Sequence, residues 1–340
     1  MTHSDAANTI LLVGFGSIGR RHLRNLRALG QTALSVYRTG RSTLPADELA
    51  DVRVYTDLDA ALAQRPLAAV IANPTALHIP AATAAAEAGC HLLLEKPIAH
   101  NLDGVDHLQQ IVASQHLTVL VGFQFRFHPG LQQIKRLLAS DVIGPVVSAQ
   151  AHWGEYLPNW HPWEDYRQSY SARPELGGGV VLTLCHPFDY LRWLLGEVVE
   201  ITAQLGYNGG LEIAVEDTAQ IGLRFESGAV GSVHLSYVER PHSHWLHLVG
   251  QRGTIHWDNR DGHVRWYRAD ADTWDTFVPP EDFERNTMFM DQMAHFLACL
   301  RGTEQADCTL ADGVRVQEIA LAVKRAAADR ATITLSTTTR

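Results

Sequence analysis

The chain has 340 residues, of which 46% are hydrophobic and 19% charged, with a formal net charge of −9. That length supports two domains with real cores, and the composition is that of a globular protein. An acidic balance without any Lys/Arg block argues against nucleic acid or an anionic membrane surface as partner.

Residues 1–9 carry neither a basic n-region nor an apolar h-region, so no secretory signal is expected. Residues 9–13 read as a buried strand that runs straight into GFGSIGRRH. Gly14, Gly16 and Gly19 have GxGxxG spacing at a strand-to-helix turn. The first allows the tight turn, the second lets the backbone approach a pyrophosphate, and the third lets helix and strand pack closely. Phe15, Ser17 and Ile18 complete the turn, and the helix amino end offers free N–H groups to phosphate. Leu23, Leu26 and Leu29 continue one helix face, with Gly30 placed to cap it. The strand before and helix after favour dinucleotide binding over a merely structural glycine turn.

The second strand, residues 33–37, ends at Arg38, where an acid would hydrogen-bond the ribose of NAD. An arginine there suits the 2′-phosphate of NADP, and Thr39, Arg41 and Ser42 add donors. NADP is therefore favoured over NAD, with a solvated basic loop as the alternative. The alternation continues through a strand at 52–55, a helix at 58–62 that Asp57 can cap, and a strand at 69–72. That strand ends in Asn73, Pro74 and Thr75, with His78 close behind. An Ala-rich helix at 81–88 closes on Gly89 and leads into LLLEKP at 92–97. An apolar run stopped by Pro97 fits a strand buried on both faces of a parallel sheet. Glu95 and Lys96 then sit at its carboxyl end, where open α/β sheets bind ligands. By those six residues alone, Lys96 is either catalytic or an ordinary solvated lysine. With the amphipathic helix over 102–111 and the strand 119–121, the units make a doubly wound parallel sheet of about six strands.

The pattern changes after Gly122. FQFRFHPG leads into a helix bearing Leu131, Ile134, Leu137 and Leu138. Alternating runs follow at 146–153, 217–225, 229–238, 245–250 and 253–258, joined by glycine-containing turns as hairpins. This predicts a large, mainly antiparallel open sheet in an α+β domain, closed by a helix at 313–328 and a strand at 332–335. The expected domains are a Rossmann-type domain over 1–122 and a substrate-binding and oligomerisation domain over 123–340. The sheet's second face is solvated or packed on another subunit.

Two segments of the second domain carry chemistry. In WGEYLPNWHPWEDYRQSY, the rings of Trp153, Tyr156, Trp160, His161, Trp163, Tyr166 and Tyr170 alternate with Glu155, other acids and Arg167. Such a set can stack on a polyhydroxylated ring, or can pin a loop to the core. In GGGVVLTLCHPFDYLRWLLG, His186 and Asp189 lie on neighbouring parts of one helix face. That histidine is a proton donor or acceptor tuned near neutral pH, or a satisfied core residue. Cys90, Cys185, Cys299 and Cys308 form no CxxC pair or disulfide framework, which fits a reducing cytoplasm. The 18 histidines include no HExxH, and His242 and His244 read as sheet residues, so no metal is expected. No apolar segment approaches a bilayer-spanning length.

GFGSIG, the NPTxxH of 73–78, the EKP of 95–97, the RFHP of 126–129 and GGG…HPFD stand in an order similar to that of the glucose–fructose oxidoreductase/inositol dehydrogenase (Gfo/Idh/MocA) family. The resemblance covers nearly the whole chain, and EKP in that order is its most specific part. It implies a nucleotide-binding domain followed by a domain whose open sheet mediates dimers or tetramers. It also implies hydride transfer between C4 of a nicotinamide and a carbinol carbon of a sugar or cyclitol. Carried over, Lys96 orients the substrate and assists proton transfer, His186 is the main acid/base, and Asp189 is a neighbouring substrate or orienting group. Asn73, Pro74, Thr75, His78, Glu95, Lys96 and Arg126 are expected at the cofactor. Arg126, Trp153, Glu155, Tyr156, Trp160, His161, Arg167 and Thr183 are expected around the substrate. Many members carry an aspartate three or four positions before the histidine, where Leu182 and Thr183 stand here. Asp189 or Glu155 could replace it. The leading reading is a cytoplasmic NAD(P)-dependent dehydrogenase of a sugar, sugar derivative or cyclitol. The alternatives are an NAD-dependent glycosidase acting through transient oxidation and a catalytically silent NAD(P)-binding regulatory protein.

Overall fold

The computed structural model describes residues 8–40 and 47–336. The chain forms two compact units, one from the residues up to Phe123 with Arg285–Gln317, the other from Gln124–Glu284 with the residues from Glu318 onward.

In the first unit, β1 (Ile10–Val13), β2 (Leu34–Tyr37), β3 (Arg53–Tyr55), β4 (Ala68–Ile71), β5 (His91–Leu94) and β6 (Val119–Val121) make a six-stranded sheet. The strands are parallel, in the order β3-β2-β1-β4-β5-β6. This is the doubly wound sheet expected, and the order reverses between β1 and β4, where such sheets open a ligand crevice. Its central strands are wholly buried from Ile10 to Val13, Ala68 to Ile71 and Leu92 to Leu94, which is why they read as unbroken apolar runs. The helices are α1 (Ser17–Ala28), α2 (Leu58–Leu62), α3 (His78–Glu87) and α4 (Val105–Ser114). Gly30, at φ +81°, follows α1 and donates to Arg27 O, and the Asp57 side chain accepts from Ala60 N to cap α2.

The second unit begins with α5 (Pro129–Ala139), β7 (Val146–Tyr156), α6 (Val180–Thr183) and α7 (His186–Leu195). It continues with β8 (Val198–Gly206), β9 (Thr218–Phe225), β10 (Val230–Ser236), β11 (Val238–Gly250), β12 (Gly253–Asp258), β13 (Val264–Arg268) and β14 (Thr273–Phe277). The nine-stranded sheet has the order β14-β13-β12-β11-β7-β10-β9-β8-β15, where β15 is Ile333–Thr334. Only the β7–β10 pair is parallel. Three strands, β8, β13 and β14, go beyond the sequence reading. β13 and β14 are short and half-exposed, so they carry little apolar alternation. β11 also starts earlier than expected: its first half is polar, contains Pro241, and joins β7 through a register shift between Val238 and Ser243. α5, α6 and α7 pack on one face of the sheet.

α8 (Arg285–Leu300) and the start of α9 (Leu310–Asp329) belong to the first unit, whereas the sequence reading put everything after 122 into one domain. Arg21 Nη1 donates to Asn286 Oδ1 at 3.0 Å, and Asn286 Nδ2 donates to Asn25 Oδ1 at 3.0 Å. The Arg21 guanidinium lies 4.6 Å from the Phe289 ring centroid. A Cβ on Gly313 would stand 2.7 Å from Ile98 and 2.9 Å from Val121, so glycine allows α9 to approach the end of β6 and the residue after Pro97. Among the described residues, no helix is long and apolar enough to cross a membrane.

Candidate functional site

Each glycine of the first turn has a separate structural reason. Gly14 has φ +101°, and a Cβ there would stand 2.7 Å from Asn73 N. A Cβ on Gly19 would stand 2.3 Å from Gly14 O, so α1 crosses β1 at a distance only glycine permits. Gly16 meets nothing within 4 Å and is the N-cap of α1, with no side-chain cap. The turn thus presents open space in front of unpaired amides at a helix amino end, which suits a pyrophosphate. Arg38 follows β2 with its guanidinium 5.9 Å from the Phe15 ring centroid, beside the same turn. Thr39 is exposed next to it, and Arg41 lies outside the described residues.

The ends of β4 and β5 are tied together by His78. Its Nδ1 is 2.8 Å from Pro97 O and its Nε2 is 2.8 Å from Asn73 O. Burial pushes this imidazole below its usual pKa, and the two carbonyls and Glu95 only partly oppose that. His78 was expected at the cofactor; both of its ring nitrogens are engaged with backbone, and it ties the Asn73 and Pro97 loops together. Asn73 Nδ2 closes its loop onto Leu77 O at 3.1 Å, Pro74 precedes the short helical turn Thr75–Leu77, and Thr75 is buried.

Glu95 also turns inward. Its Oε1 is 2.7 Å from His22 Nε2, its Oε2 accepts from Lys96 N at 3.2 Å, and only 5% of the residue is exposed. Desolvation works to raise this carboxyl, but His22, Lys96 and His78 outweigh it and hold it below the usual carboxylate range. Glu95, expected at the cofactor, thus lies beneath the strand end, held between His22 and the Lys96 amide. Lys96 stands at that end, half-buried, with its own backbone held by Glu95.

In the second unit, Arg126 and Asp189 form a buried pair. Arg126 Nη2 donates to Asp189 Oδ1 at 2.7 Å, and Nε donates to both carboxylate oxygens at 3.1 Å. Neither residue is more than 2% exposed. Arg126, expected at cofactor and substrate, is thus tied to the first turn of α7. His186 is the first residue of α7 and is also buried, 5.0 Å edge-on from Phe125 and 5.3 Å from Trp153 by ring centroids. Trp153 stacks on His244 at 4.4 Å and donates from Nε1 to Glu155 Oε1 at 2.9 Å. Thr183 is buried, and the Tyr237 hydroxyl donates to Ser171 O at 3.4 Å while its ring meets Trp160 edge-on at 5.5 Å.

The aromatic segment is buried in part. Trp153 is buried core, whereas Glu155, Tyr156, Trp160 and His161 are half-exposed. Arg240 covers Tyr156, and His161 packs on Trp163. Arg167, expected around the substrate, pairs with Asp165 and Glu212 at 2.9 Å on the exposed surface. Sequence reasoning missed His22, Tyr237 and the inward role of His244. His22 lies among Gly19, Leu23 and Leu26 on the buried face of α1, a placement that helical spacing could have exposed. His244 shares its strand face with Leu246 and Leu248, which likewise marks it as buried. Nothing in the local sequence marks Tyr237.

Two family profiles match the chain: the oxidoreductase family NAD-binding Rossmann fold over residues 9–123, and the GFO/IDH/MocA C-terminal domain over 131–256. An uncharacterized oxidoreductase of Synechocystis sp. is 30% identical over 269 residues, covering 73% of this chain and 70% of its own. The 1,5-anhydro-D-fructose reductase of Ensifer adhaerens is 27% identical over 331 residues, covering 93% and 95%. A levoglucosan dehydrogenase solved in complex with NADH has the same fold, with a TM-score of 0.86 at 20% identity over 97% of this chain and 99% of that one. The chain therefore belongs to the GFO/IDH/MocA family of NAD(P)-dependent oxidoreductases.

Proposed function

We propose that this enzyme moves hydride between the nicotinamide of NADP and a secondary alcohol of a sugar, sugar derivative or cyclitol, with Lys96 and His186 handling the hydroxyl proton. The observation that carries the reading is the carboxyl edge of the parallel sheet. There the open Gly16 turn, Arg38, Asn73 and Lys96 follow β1, β2, β4 and β5, on both sides of the point where strand order reverses. The cofactor, when bound, supplies the hydride-accepting or hydride-donating carbon. Gly14, Gly16, Ser17 and the α1 amides would hold its pyrophosphate, and Arg38 with Thr39 would meet the 2′-phosphate. Oxidation of a carbinol releases a proton from oxygen as well as hydride from carbon. Lys96 orients that hydroxyl, and His186 takes or returns the proton. Asp189 acts through Arg126 by fixing the start of α7, and Glu155 and Trp160 contact sugar hydroxyls and ring faces.

The test is a panel of sugars, sugar acids and cyclitols with NADP+ and NAD+, followed by absorbance of the reduced nicotinamide. Reduction with at least one polyol supports the reading. Nucleotide binding without turnover on the whole panel would sink it, and sugar release without net reduction would replace it with the glycosidase chemistry. Arg38→Asp should shift preference from NADP+ toward NAD+; an unchanged ratio of kcat/KM values would remove Arg38 from 2′-phosphate recognition.

The face of the nine-stranded sheet opposite α5–α7 supports a further reading, that copies of the chain associate through it. Gln150, His152, His234, Trp245 and His247 leave that face only partly covered. Sedimentation of the full chain should then give a dimer or tetramer, and a monomer at all concentrations would count against it.

A further inference from the structure

Among the described residues, one cluster outside the machinery above has the donor chemistry of a metal centre: His152 on β7, His234 on β10 and Glu239 on β11. These three strands are neighbours in the order β11-β7-β10, and His152 and His234 are direct register partners in the one parallel pair of the sheet. One ligand atom from each residue lies within 4.8 Å of the others. We propose that His152, His234 and Glu239 bind a divalent transition metal of the zinc class, clipping three strands together on the sheet face opposite α5–α7.

Several independent features make this a built site rather than a chance surface group. The His152 ring is held between two flat neighbours, Trp245 at 5.2 Å and 3° and His234 at 4.9 Å and 21°. Its rotamer is therefore set by packing, so little side-chain freedom is lost on coordination. His234 Nδ1 lies 2.9 Å from Gln220 Oε1, an atom that can only accept. That partner places the proton on Nδ1 and the lone pair on Nε2, the outer-shell arrangement by which metal-binding imidazoles are oriented.

Glu239 reaches the cluster for a reason visible in the backbone. It lies where the register of β11 against β7 shifts between Val238 and Ser243, and such irregularities re-aim side chains. Its carboxylate then lies over Gly154. A Cβ on Gly154 would stand 1.8 Å from Glu239 Oε2, so any larger residue there would lift the carboxylate off the sheet. The space that glycine leaves brings Glu239 Oε2 to 2.7 Å from His152 Nε2.

The geometry needs only small adjustments. Tetrahedral zinc with bonds near 2.0–2.1 Å separates its ligand atoms by about 3.3 Å. The His152–Glu239 contact must open slightly, and the other separations, none above 4.8 Å, must close by at most about 1.5 Å, within the reach of χ rotations at half-exposed side chains. Two imidazoles and one carboxylate suit zinc better than magnesium or calcium, which prefer all-oxygen sets. Three protein ligands leave the fourth position to water.

The experiment is calorimetric titration of Zn2+ into the full chain after chelator treatment and desalting. One Zn2+ per chain is expected. Glu239→Gln keeps the size of the side chain but removes its charge, and His234→Ala leaves the His152–Glu239 contact intact. Each should weaken binding at least about tenfold. Gly154→Ala should do the same by displacing Glu239, with far-UV circular dichroism confirming that each variant folds. His256→Ala, in the separate His247–His256 stack between β11 and β12, should bind as the parent does. Co2+ in place of Zn2+ should give the intense visible absorption of a low-coordinate site in the parent and lose it in Glu239→Gln. Absence of stoichiometric binding, or binding unchanged in both Glu239→Gln and His234→Ala, overturns the proposal. Equal weakening by His256→Ala does so too, because it would locate the metal elsewhere.

Discussion

Adjacent residues of the EKP turn face opposite fates. Glu95 is buried against His22, whereas Lys96 stands half-buried at the carboxyl edge of the sheet. Lys96→Ala should therefore lower kcat by roughly a hundredfold or more, the usual worth of a positioned proton-handling group. NADPH affinity, read by fluorescence titration, should change little; intact turnover at saturation would remove Lys96 from the chemistry. Glu95 works differently, because its partner rather than its exposure gives it a role. Removing the imidazole by His22→Ala leaves a buried carboxylate without its main partner and should cost about 3 kcal/mol in urea unfolding. The pH dependence follows from the depressed Glu95 pKa. A carboxyl that binds its proton less readily when folded stabilises the protein above the unfolded pKa, and that contribution is lost as pH falls through the folded value. Glu95→Gln should therefore flatten the loss of stability below about pH 4, the ordinary range of a glutamate. A variant with the parent's acid limb would show that the pair is not coupled to folding.

At the scale of elements, the strand–turn–helix unit separates two kinds of glycine. Gly19 is required by the fold, since a Cβ would stand 2.3 Å from Gly14 O, while Gly16 faces open space. Gly19→Ala should lower the thermal midpoint in the absence of nucleotide as well as weaken binding. Gly16→Ala should leave that midpoint near the parent's and weaken nucleotide binding alone. Thermal melts with and without NADPH distinguish the two. If Gly16→Ala is the more destabilised without nucleotide, the assignment of the open glycine to the pyrophosphate fails. The same contrast holds between the buried and exposed arginines. Arg126 is locked to Asp189 at the start of α7, whereas Arg167 makes solvated pairs of the kind that contribute little.

At the scale of the whole molecule, the first unit is not a continuous stretch of chain. α8 closes over α1 through Asn286 and Phe289, and Met288, Met293 and Phe296 are buried with it. Each such side chain is worth about 2 kcal/mol of apolar burial, a large share of a domain's net stability. A fragment ending at residue 123 should thus be unstable or aggregate on expression. The same fragment joined by a flexible linker to residues 285–317 should fold and bind NADPH. A stable, nucleotide-binding 1–123 fragment would contradict this.

The parallel sheet was legible because its strands are buried on both faces and its turns use glycine, proline and Asx residues that few other conformations need. The glycine turn could be found on the same grounds, whereas EKP and the HPFD helix gained their expected roles only from the family resemblance. Three things were decided only in the folded chain. The direction of Glu95, His78 and Arg126 depends on partners 19 to 73 positions away, His22, Pro97 and Asp189, that no local pattern reveals. The strands β13 and β14 are held by their neighbours rather than by their own weak alternation. The cluster of His152, His234 and Glu239 exists because an irregular β11 and a glycine on β7 bring a carboxylate onto two histidines from adjacent strands. Local sequence determined which segments are strands, turns and helices, because periodicity and backbone freedom are local properties. Pairing, register and side-chain partners are long-range, so only the tertiary structure set them.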